Sequence, residues 1–315
     1  MDSLVLTGRH WEGYKALRYL FVFGASFCDV GYDSECPHPT TAEPLGVPFP
    51  GMTYAGEGKP NWVGYIAREF CPSGSGDTDP LLVFDYAKGG AIVDGVRSQV
   101  YDQFLKGTAT KPSWAPWSAE DSLFSISIGI NDVAHGCDPA ESVDILFKII
   151  EELYKHGARN FLFFNAPPIL RAPISRPNIE KKASTARQDP YRTWNTILHS
   201  DACGFVREHP DASVFVFSSW NLFSKVLDDP VAHGFGRDDT DKPGGGIWFD
   251  RLHPTTEVHR LIAESVRNFL SRVKQNKSER NRIKAQVGED GEVWKSYEKL
   301  NRCRWRRRAG LLALE

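Results

Sequence analysis

The sequence predicts an α/β fold, a three-layer α/β/α sandwich built on a five-stranded, mostly parallel sheet. Short runs of β-branched and aromatic residues recur at intervals too long for hairpins, and stretches with helical spacing fill the gaps between them. The chain has 315 residues, 41% apolar and 25% charged, which is enough for one large domain with a sizeable core.

The elements follow in order. Strands are expected at Tyr19 to Phe23, Leu81 to Tyr86, Leu123 to Ile128, Asn160 to Phe164 and Ser213 to Phe217. Their near-continuous apolar character suits strands buried on both faces. Val143, Leu146, Ile150 and Leu153 mark the clearest helix. Val258, Leu261, Ile262, Val266, Phe269 and Val273 mark another after the last strand. Residues 32–60, rich in Pro and Gly, and residues 171–190 read as irregular excursions, and Pro243 to Gly246 as a mobile joint. Beyond about Gln275 the periodicity fades, so the fold is assigned to residues 1–275 and a basic, poorly ordered tail to 276–315.

Net charge is −2, which gives no overall pull toward nucleic acid or anionic membrane. Residues 272–315 carry 13 basic against 6 acidic side chains, so the body before them is acidic and a polyanionic substrate is disfavoured. Six scattered cysteines form no CxxC pair, and the spacings of His38, His135, His233 and His259 match no ligand motif. No metal or other cofactor is therefore expected, and those histidines read as surface or capping residues. Residues Met1 to His10 lack the apolar stretch of a secretory signal and no run approaches a membrane span, so the chain reads as intracellular.

In open parallel sheets, ligands bind where strands exit into loops. Ser26 follows the first strand, Gly89-Gly90 the second and Gly129-Ile130-Asn131 the third, while Asp250 and His253 precede the last helix, with Pro254 at a first-turn position. Taken singly each piece is weak. Ser26 alone reads as a turn or cap residue, Asp250-x-x-His253 as a surface pair, and Asn131 as the left-handed residue of a turn. Together they supply what a serine esterase needs. The three-residue spacing lets the Asp250 carboxylate reach Nδ1 of His253 and leaves Nε2 for the Ser26 hydroxyl. The Asn131 amide and the backbone N–H groups of Ser26 and Gly90 would bind the oxyanion. Trp62, Trp248 and Phe249 are candidates to line a sugar or acyl pocket, and Cys28 reads as packing.

These segments resemble the SGNH (GDSL-type) hydrolases. Phe23 to Gly31 is similar to the first sequence block of that family, Tyr86 to Ala91 to the second, Ile128 to Asp132 to the third and Asp250 to Pro254 to the fifth. Pro60 to Trp62, Arg159 to Pro168 and Ala232 to Phe235 resemble the fungal branch grouped as carbohydrate esterase family 16. The resemblance implies a flavodoxin-like fold and metal-free hydrolysis of esters, often acetyl groups on sugars. It makes Ser26 the nucleophile, His253 the base and Asp250 its partner, with an oxyanion hole from Ser26, Gly90 and Asn131. The expected partner is a small-molecule or acetylated-sugar ester, acted on by a monomer. One position departs from the pattern, because Ala25 stands where the family carries Asp. Two rivals stand beside this reading: a lipase acting on longer acyl chains, and, because of Ala25, a weakened or inactive carbohydrate-binding relative. The family is typically secreted, unlike the reading from the N-terminus.

Overall fold

The computed structural model describes residues 2–72, 80–175 and 189–275. The 276–315 tail and residues 176–188 of the second excursion lie outside them. Among the described residues the sheet has six strands: β1 (Leu4–Leu6), β2 (Tyr19–Gly24), β3 (Leu82–Asp85), β4 (Ser122–Ser127), β5 (Asn160–Phe164) and β6 (Ser213–Phe217). Their spatial order is β1-β6-β5-β4-β2-β3. Strands β2 to β6 are parallel, as expected. The sixth strand corrects the expected count. β1 pairs antiparallel with β6 at the sheet edge, and its three residues are too short to show a period in the sequence.

Among the described residues the α-helices are α1 (Trp62–Arg68), α2 (Val93–Ser98, continued by a π-helical stretch Gln99–Phe104), α3 (Ile130–Ala134), α4 (Pro139–Lys155), α5 (Pro190–Glu208), α6 (Ser219–Asp228) and α7 (Thr256–Ser271). Alternation along β5 shows the two outer layers. Phe163 stacks on Phe147 of α4, with ring centroids 5.5 Å apart, while Phe164 meets Trp62 of α1 at 4.7 Å. α1 packs against α7, and α4 packs against α2 and α5. Local signals set the helix starts. Asp138 accepts hydrogen bonds from the Ala140 and Glu141 N–H groups ahead of Pro139, and Asp189 accepts from Tyr191 ahead of Pro190.

Two local expectations change. α7 starts at Thr256, so Pro254 lies before the helix, bridged to Trp248. Residues 243–246 are fastened rather than loose: the Gly244 N–H donates to the Trp248 and Phe249 carbonyls, and the Thr255 hydroxyl donates to Gly246.

From β2 the chain steps to β3 on one side and then returns to β4 on the other. A ligand crevice forms at such a reversal, here between the C-terminal ends of β2 and β4.

Candidate active site

Ser26 sits in the turn that leaves β2. The Ala25 carbonyl closes this turn by accepting from the Cys28 and Asp29 N–H groups at 2.9 and 3.2 Å. Glycine is required just before it. A Cβ on Gly24 would come within 2.2 Å of the Ser127 carbonyl oxygen on β4, so a side chain there would push the two strands apart at the crevice. Buried Gln99 holds the same residue from the other side. Its Oε1 accepts from the Gly24 N–H at 2.9 Å, and its Nε2 donates to the Gly24 carbonyl at 2.8 Å.

The loop before α7 brings His253 to this turn. Nε2 of His253 lies 2.9 Å from the Ser26 Oγ, and Nδ1 lies 2.7 Å from Oδ2 of Asp250. Oδ1 of Asp250 accepts from the Leu252 and His253 N–H groups, both at 2.7 Å, which fixes the carboxylate in a tight Asx turn. Partial burial pushes the Asp250 pKa up, but the backbone and imidazole donors of His253 and the Leu252 N–H outweigh it and hold the group below the usual carboxylate range. An ionised Asp250 keeps the proton on Nδ1, so Nε2 can accept from the serine hydroxyl.

Asn131 and Gly90 come from the segments that follow β4 and β3, the two strands that flank β2. The Asn131 Nδ2 donates to the Ala91 carbonyl at 2.9 Å, which leaves its second amide hydrogen for another acceptor. Gly90 adopts φ 79°, a left-handed conformation that suits glycine. Neither the Ser26 nor the Gly90 N–H has a partner among the described residues. Two acidic residues fasten the glycine loop. Oδ2 of Asp29 accepts from the Gly89 N–H at 2.7 Å, and Oδ1 of Asp132 accepts from the Val93 N–H at 2.9 Å.

The structure therefore brings together Ser26, Asp250 and His253, with Gly90 on the loop after β3 and Asn131 in the first turn of α3. The aromatic candidates divide. Trp248 is 1% exposed and donates its indole N–H to the Thr240 carbonyl, so it offers no face to a sugar, and the expectation for it is corrected. Trp62 is likewise buried, against Phe164, and offers no stacking face; its edge lines a pocket with Phe27 and Ile130. Both belong to the core because each starts or joins an apolar segment. Phe249 alone of the three is exposed.

Several residues escaped the sequence reading. Asn61 caps α1 by accepting from Val63 and Gly64, and its amide donates to the Cys28 and Asp29 carbonyls, tying the Ser26 turn to the helix. Its place in Pro60-Asn61-Trp62 was the available signal. Tyr54 lies in the 32–60 excursion with its ring 4.8 Å from that of His253, and no periodicity points to it. His259 is buried rather than on the surface. Cys28 is buried as well, and burial pushes its thiol pKa up, consistent with packing.

A possible metal-ligand set, Glu151, Glu208 and His209, lies near the C-terminal ends of α4 and α5, at the opposite edge of the sheet. There Nε2 of His209 bonds the Glu151 carboxylate at 2.8 Å. No helix among the described residues is long and apolar enough to cross a membrane.

Sequence kinship, rather than the fold, defines the class: the chain is a carboxylic ester hydrolase. A family model described as GDSL-like Lipase/Acylhydrolase matches residues 20–266, and the chain belongs to that family. It is 30% identical over 271 residues to an acetylesterase of Thermothelomyces thermophilus, covering 79% of this chain and 87% of that protein. Among solved structures, a mutant acetyl-xylooligosaccharide esterase from Geobacillus matches at TM-score 0.50 and 15% identity, covering 83% of this chain and 97% of that one. An acetyl xylan esterase from Geobacillus stearothermophilus matches at TM-score 0.49 and 15% identity, covering 85% and 99%.

Proposed function

We propose that the protein hydrolyses small-acyl esters, acetyl esters foremost and those on carbohydrates in particular, with Ser26 as nucleophile, His253 as base and Asp250 as its orienting carboxylate. The observation that carries this reading is the Ser26 Oγ to His253 Nε2 separation of 2.9 Å, continued to Asp250 at 2.7 Å. The preference for acetyl is supported by the relative named an acetylesterase.

In the first step the Ser26 Oγ bonds to the ester carbonyl carbon while its proton passes to Nε2 of His253. Negative charge gathers on the carbonyl oxygen, where the Ser26 and Gly90 N–H groups and the free Asn131 amide hydrogen stabilise it. The tetrahedral adduct then collapses. The C–O bond to the alcohol breaks, Nε2 returns its proton to the departing oxygen, and an acetyl-serine remains. Water, losing its proton to Nε2, attacks that carbonyl; acetic acid leaves and Ser26 is restored. Asp250, kept ionised, stabilises the imidazolium in both steps. Phe249, exposed and next to Asp250 in the chain, is the candidate contact for the alcohol.

A panel of acetyl, butanoyl and octanoyl p-nitrophenyl esters tests this, with Ser26→Ala as control. The wild type should turn over acetyl fastest, and Ser26→Ala should lower kcat by roughly a millionfold. A variant with near-normal turnover would remove Ser26 from the mechanism, and a maximum at octanoyl would favour the lipase reading.

A further inference from the structure

Among the described residues four large aromatic side chains are exposed, and one of them, Tyr54, meets the triad histidine. Tyr54 is 40% exposed, with its ring centroid 4.8 Å from that of His253 and the planes tilted by 32°. The Tyr54 hydroxyl rests over Gly89, where a Cβ would come within 2.1 Å of it. Glycine at position 89 therefore makes room for Tyr54, while Gly90 beside it needs a left-handed backbone. The loop that carries the ring is fastened. The Met52 N–H donates to the Val30 carbonyl at 2.9 Å, the Thr53 hydroxyl donates to the Lys59 carbonyl at 2.6 Å, and the Ala55 N–H donates to the Thr53 hydroxyl at 3.2 Å. Phe249, 45% exposed, reaches this loop at Gly56.

The chemistry fixes which part of the substrate Tyr54 meets. The carbonyl oxygen must face Gly90 and Asn131, and the departing alcohol must face His253, because Nε2 hands it a proton. Tyr54 packs on that imidazole, the group that the alcohol must approach, while its hydroxyl reaches to Gly89. An aromatic ring left partly in water beside that space gains by covering an apolar face, such as the C–H face of a pyranose.

We propose that Tyr54 is a specificity-determining residue that selects esters whose alcohol is a sugar ring, by stacking on that ring while the acetyl carbonyl enters the oxyanion site. This inference rests on the ester-hydrolase reading given above and adds the residue that recognises the alcohol.

The test compares two acetyl esters, glucose pentaacetate and ethyl acetate, in wild type, Tyr54→Ala and Tyr54→Phe. The readout is the ratio of kcat/KM for the sugar ester to kcat/KM for ethyl acetate, in which any inactive fraction cancels. Tyr54→Ala should lower the ratio by about tenfold, the upper range for one aromatic contact, and Tyr54→Phe should keep it within about twofold of wild type. An unchanged ratio in Tyr54→Ala, including an equal loss on both esters, would overturn the inference and leave the esterase reading intact. A wild type that hydrolyses neither ester would overturn the esterase reading itself.

Discussion

His259 lies in the first turns of α7, 1% exposed, with its ring edge-on to Phe27 at 6.0 Å and its Nδ1 without a hydrogen-bond partner among the described residues. Burial, with the nearby charge of His253 adding to it, lowers its pKa from 6.5 to about 3. The folded chain therefore refuses a proton that the unfolded chain accepts. Stability is fully present above the ordinary histidine pKa of about 6.5 and is lost as pH falls from there toward about 3. His259→Leu should lose less Tm than the wild type between pH 7 and pH 5, measured by thermal unfolding; parallel losses would show that other groups set the acid response. The sequence held a signal for this residue. Positions 259, 262, 263, 266 and 270 share the buried stripe of α7, and the phase of that stripe marks His259 as interior.

Among the elements, the end of β2 bears most directly on the site. Gln99, in the π-helical stretch after α2, makes both of its amide hydrogen bonds to Gly24, two residues before Ser26. Gln99→Leu leaves the buried Gly24 N–H without an acceptor. That should cost about 2 kcal/mol of stability in urea unfolding and lower kcat more than it raises KM, because the Ser26 turn loses its anchor. A variant with wild-type stability and kcat would show that the strand end is held by β4 alone. The five parallel strands were legible because burial on both faces makes each a continuous apolar run. β1 was not, because Leu4–Leu6 is held by its pairing with β6 and carries no pattern of its own. The Gln99 clamp was illegible for a similar reason, since a polar residue bonding across 75 positions leaves no local signature.

On the scale of the whole molecule, the strand order decides the site. β2 lies between β3 and β4, so the loops after three neighbouring strands carry Gly90, Ser26 and Asn131 to one edge, and the loop before α7 adds Asp250 and His253 there. The motif residues were readable because each is a short segment at a strand exit or helix entrance. Tyr54 was not, because its position depends on how an irregular loop folds back over His253. Trp248 misled for the opposite reason: its neighbours in sequence are at the site while its own side chain turns into the core. The proposed mechanism requires that His253 activate Ser26. The most direct measurement is peptide mass mapping after reaction with a fluorophosphonate, which modifies activated serines. The adduct should fall on Ser26 and form at least about a hundredfold more slowly in His253→Ala. No adduct, an adduct on another serine, or an equal rate in His253→Ala would contradict the claim.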